Sequence, residues 1–139
     1  MLPTGLKCKL DDGGFADQPK SIARAVCNEG APSLVVYWLF PDAGTLASGF
    51  NKPLRADLNE SYVACPGKGP SPQDWHSTAN PQRSGKLSCI SAQGTGGPKS
   101  GTYPSVHWTV DSQFLLGSVG GDKHHSLSEI YQWWAGQYQ

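Results

Sequence analysis

Four cysteines and four histidines are among the residues of this chain whose types can carry chemistry beyond packing. Cys8, Cys27, Cys65 and Cys89 form no C-x-x-C, which argues against a zinc knuckle or a thioredoxin-type redox pair. An even count at scattered spacings points instead to disulfides formed in an oxidising compartment. Four cysteines allow three connectivities. Cys8–Cys27 with Cys65–Cys89 is the expected one, because each bond then ties a loop to a neighbouring strand. Each closed loop is roughly 20 residues, so each bond contributes about 3 kcal/mol on a chain-entropy argument. The alternative is four buried free thiols in a reducing compartment.

Among the histidines, His76 follows Trp75 in a polar stretch, residues 66–84. An exposed loop Trp beside a His is a contact site for a ligand or partner, unless the indole folds back as a lid on the core. His107 alternates with apolar Val106 and Trp108, which places it on the surface or in a cleft. His124 and His125 are adjacent, so their side chains diverge, and no third metal ligand is signalled. Trp133 and Trp134 are also adjacent, so at least one points outward; Trp134 belongs to the apolar face of a helix. The candidate ligand or partner contacts are therefore Trp75, His76, His107 and Trp133.

No catalytic signature is present: no G-x-S-x-G, no H-E-x-x-H and no P-loop lysine. A small hydrolase would need His76 or His107 with Asp74 or Asp111, and no nucleophile is signalled. The expectation is a non-catalytic domain without metal or cofactor. Asn59-Glu60-Ser61 fits a glycosylation sequon, a triplet common by chance.

These residues must be positioned by one domain spanning 1–139, long enough for a single core. Eleven basic and eleven acidic residues cancel, and charged residues are only 16%, which argues against a nucleic-acid surface. With 17 glycines and 11 prolines loops are many, yet 37% hydrophobic content excludes global disorder. No apolar run is long enough to span a membrane. No signal peptide is evident, and Met1-Leu2-Pro3 reads as the cut edge of an excised domain.

The pattern is organised around residues 104–119, PSVHWTVDSQFLLGSV, two strands joined by a tight turn at Asp111-Ser112. The first alternates as a half-buried strand does; the second is continuously apolar, as a strand covered on both faces is. Residues 22–28 give a short strand in which Arg24 can sit at an edge, and 33–40 a central strand. Asp42 caps a helix with Ala43, Leu46, Ala47 and Phe50 on one face. Residues 62–65 and 86–91 are short strands. Ser126-Leu127-Ser128-Glu129 is a capping box opening a last helix whose apolar face is Leu127, Ile130, Tyr131 and Trp134. Each half runs cysteine-bearing strand, apolar strand, capped helix. The fold class is α+β: a single antiparallel sheet of about five or six strands with helices packed on one face, in two β-β-α-like halves.

Six segments taken in order resemble the extracytoplasmic C-terminal domain of mycobacterial and other actinobacterial transmembrane Ser/Thr protein kinases. They are VVYWLFPDAGTLASGFN at 35–51, YVACPG at 62–67, Trp75-His76, KLSC at 86–89, VHWTVDSQFLLGSV at 106–119 and LSEIYQWW at 127–134. The resemblance implies a cytoplasmic kinase domain and one transmembrane helix outside this segment. It implies an extracytoplasmic, membrane-attached sensor that binds an unknown ligand (a cell-wall fragment, a lipid or a protein) and can homodimerise. It carries over no catalytic residue, because the kinase lysine, HRD and DFG are absent. A free-standing secreted or lipid-anchored binding protein of the same fold is the alternative.

Overall fold

Two apolar strands beside a third explain most of the architecture. The computed structural model describes residues 7–12, 17–53, 59–67, 69–95, 97–120 and 122–139. Among these residues eight strands form one antiparallel sheet in the order β1-β2-β3-β8-β7-β6-β4, with β5 also paired to β6. They are β1 Lys7–Asp12, β2 Ala23–Glu29, β3 Val35–Leu39, β4 Asn59–Val63, β5 Gln73–His76, β6 Ser84–Gly94, β7 Gly101–Val110 and β8 Leu115–Gly120. The α-helices among the described residues are α1 Ala43–Asn51 and α2 Leu127–Tyr138. The Met1-Leu2-Pro3 edge lies outside the described residues.

The fold is α+β and antiparallel as expected, but with more strands. β1 precedes the first strand that the pattern marks, and β5 falls inside the polar stretch 66–84. Both are short and poor in β-branched residues, so propensity does not mark them. β8 is largely apolar because it lies mid-sheet between β3 and β7, with Leu115, Leu116 and Val119 all buried.

The helices do not share a face. Tyr37, Val106, Trp108, Leu115 and Val119 pack with Ile130, Tyr131, Trp134 and Tyr138 of α2. Their chain neighbours Trp38 and Leu116 pack with Leu46 and Phe50 of α1. Alternate residues of a strand point to opposite faces, so α1 and α2 cover opposite sides of the sheet. This is why β7 is buried along both faces, where alternation alone predicted a half-buried strand.

Both helix starts are built as the sequence indicates. The Asp42 carboxylate accepts from the Thr45 amide at 2.8 Å. Ser126 and Glu129 form a reciprocal capping box. The turn between β7 and β8 is a 3-10 turn, Asp111–Gln113, closed by Phe114 at φ 52°. The Phe114 carbonyl accepts from the Phe40 amide at 2.9 Å.

Two disulfides staple the sheet. Cys8–Cys27 joins residues directly opposite each other on β1 and β2, with Cα atoms 4.0 Å apart. Cys65–Cys89 ties the chain after β4 to the centre of β6. They accord with an oxidising, extracytoplasmic environment. No helix among the described residues is long and apolar enough to cross a membrane.

Candidate ligand-binding site

Strand period decides which side chains meet on the α1 side of the sheet. In β7, Ser105, His107 and Thr109 face opposite to Val106, Trp108 and Val110. Register then sets Ser88 of β6, His107 of β7 and Ser118 of β8 in one row, with Val36 of β3 beside Ser118. Trp38 lies one row along, and Ser105 one row the other way. The outcome is a polar strip laid across the sheet beyond the part that α1 covers.

A cleft of about 290 Å³ opens over this strip. Asp17, Ser33, Trp38, Ser105, His107 and Asp122 line it, with Leu34 and Val36 as its apolar wall. His107 is 3% exposed and shares a 3.2 Å hydrogen bond with the Ser105 hydroxyl through Nε2. Burial without a countercharge pulls its pKa down to about 4, so the ring is neutral at pH 7. Asp17 Oδ2 pairs with Arg24 at 3.5 Å. Asp122 accepts from the His124 amide at 2.6 Å and pairs with His125 at 3.3 Å. The His124 hydrogen bond holds the Asp122 carboxyl below the usual range.

Several groups lining this cleft have unmet hydrogen bonding, as do a few buried elsewhere, among them Trp108 and Trp134 on the α2 side. Trp38 is 3% exposed, yet its Nε1 has no partner; nor have Asp17 Oδ1 and Ser33 Oγ. Ser88 Oγ, one strand over from His107, is likewise unpartnered. Buried polar groups are nearly always paired, and each left unpaired costs about 1–3 kcal/mol. A cleft of the same volume between Phe50 and Tyr62 holds no such group among the described residues.

The sequence-derived candidates divide. His107 is at this cleft, in its buried wall; it is not a surface residue. Trp75 is not an exposed contact. It sits in β5, 4% exposed, its indole donating to the Thr109 carbonyl at 2.9 Å and packed edge-on against Trp134. An indole that finds both an acceptor and an aromatic wall gains more by burial than by exposure. His76 is exposed, on the far edge of the sheet from the cleft. Trp133 is half-buried on α2, on the opposite side. The structure thus brings together none of Trp75, His76 and Trp133 with His107.

Neither acid considered for a hydrolase is paired with His107. Asp74 is bound to Lys86, and Asp111 accepts from the Thr109 hydroxyl at 2.7 Å. Among the described residues no three His, Cys, Asp or Glu side chains are placed to hold a metal. Trp38, Ser105, Asp17 and Ser33 were missed as site residues. The available signal was β7 itself, whose Ser105, His107 and Thr109 are all polar on one face of a strand apolar on the other.

No protein-family model, curated protein sequence or solved structure matches this chain.

Proposed function

We propose that the chain is a non-catalytic, extracytoplasmic ligand-binding domain, serving as the sensor of a receptor-type bacterial Ser/Thr protein kinase. The carrying observation is the cleft: buried polar groups without partners, on a rigid sheet stapled by two disulfides. A ligand that supplied those partners would gain affinity from hydrogen bonds made out of water. The kinase assignment rests on the sequence resemblance alone. A ligand would regulate such a kinase by binding one association state of the domain better than the other. Because Trp75 is buried, self-association would use an edge strand, β1 or β4. A secreted or lipid-anchored binding protein would use the same cleft.

A thermal-shift screen with cell-wall fragments, lipids and small polar metabolites tests the binding reading. Ligands that bind only the folded state raise Tm. The account expects at least one class to do so, with the shift reduced in Asp17→Asn and Trp38→Phe. Stabilisation that both variants retain would place binding elsewhere. A hydrolytic reading draws on the Ser105–His107 hydrogen bond. Ester turnover abolished by Ser105→Ala would favour it over simple binding.

A further inference from the structure

We propose that the cleft at Trp38 takes a neutral, hydroxyl-rich ligand the size of about one sugar ring. This deepens the reading of the cleft as a ligand site and depends on it. Complementarity of donors and acceptors points to this class of ligand. Trp38 Nε1 can only donate, Asp17 Oδ1 can only accept, and Ser33 Oγ can do either. An ammonium ligand offers donors alone and leaves the indole unpaired. A carboxylate or phosphate offers acceptors alone and meets the Asp17 carboxylate. Hydroxyl groups both donate and accept, so a polyhydroxylated molecule matches the chemistry of all three.

The charges around the cleft are already engaged. Asp17 pairs through its other oxygen with Arg24, and Asp122 is held by His124 and His125. Burial keeps His107 neutral, so it adds no positive charge. The two lining carboxylates disfavour an anion, and a donor-only ammonium leaves the indole unpaired. About 290 Å³ is at the low end of ligand pockets, which suits a single ring. Leu34 and Val36 give an apolar wall for the C–H face such a ring presents.

Indole N–H resonances of the 15N-labelled protein test this directly, since each of the five tryptophans gives one. Trp38→Phe identifies the relevant peak. Glucose, N-acetylglucosamine, acetate and ethylammonium are each titrated through the millimolar range. The expected result is a saturable shift of the Trp38 peak with at least one sugar and none with acetate or ethylammonium. Asp17→Asn should weaken that binding about tenfold, the loss of one charge-assisted hydrogen bond. Ser33→Ala, at a half-buried position outside the strands, gives a second variant whose fold is not at risk. A Trp38 shift driven by ethylammonium or acetate alone would overturn the ligand class while leaving the cleft a binding site. No shift with any probe, or sugar binding unchanged in both variants, would overturn the proposal outright.

Discussion

The indole N–H of Trp75 donates to the carbonyl of Thr109, 2.9 Å away across the sheet. Gly85, opposite Trp75 in β6, makes the approach possible: a Cβ there would lie within 2.2 Å of the same carbonyl oxygen. Gly85→Ala should therefore displace β7 or the indole and destabilise by about 1–3 kcal/mol, the usual range for overpacking. Trp75→Phe keeps much of the ring contact but strands the Thr109 carbonyl, at about 1–3 kcal/mol. Urea melts of both variants check this; a neutral Gly85→Ala would mean that the backbones are not in such close contact.

Trp134 and Trp133 are neighbours with different surroundings. Trp134 is fully buried between Trp75 and Tyr138, with centroids 5.3 and 6.0 Å away. Trp133 is only half-buried. Trp134→Ala should cost about 3–5 kcal/mol, as buried Trp truncations do, and Trp133→Ala far less. Equal losses in denaturant melts would contradict the packing of α2.

His107 gives a pH dependence of defined sign. Its pKa falls from 6.5 unfolded to about 4 folded. Above pH 6.5 the ring is neutral in both states and costs nothing. Between pH 6.5 and about 4 the unfolded chain takes up a proton that the folded chain refuses. Stability is lost across that window, by about 3 kcal/mol at its acid end. His107→Gln removes this component, so the difference in pH slope between variant and parent isolates it from the carboxylates. Parallel slopes would show that His107 titrates normally.

Reducing the disulfides should lower stability by about 3 kcal/mol for each bond. Non-reducing peptide mapping should recover Cys8 with Cys27 and Cys65 with Cys89. A peptide joining Cys8 to Cys65 would contradict the sheet register at β1 and β2.

Much of the frame was legible in the residues because it rests on local rules. Asp42 and the Ser126–Glu129 box mark helix starts through hydrogen bonds made within one turn. The run at β8 announces a strand covered on both sides. What was not legible depends on tertiary pairing. β5 exists because Trp75 finds Thr109 and Trp134, which nothing near residue 75 reveals. The placing of α1 and α2 on opposite faces depends on whether Tyr37 or Trp38 faces each helix, and both are apolar aromatics. The same ambiguity hid the cleft: Trp38 stands in an apolar run like any core residue, and only the paired strands set its indole in the row next to His107 and Ser118.

The central claim is that the Trp38 cleft holds a ligand. The most direct measurement is a crystal structure of the domain soaked with the strongest stabiliser from the thermal-shift screen. The account predicts density in the cleft, within hydrogen-bond distance of Trp38 Nε1 and Asp17 Oδ1. A fully occupied ligand seated elsewhere, such as between Phe50 and Tyr62, with the Trp38 cleft holding only solvent, would contradict it.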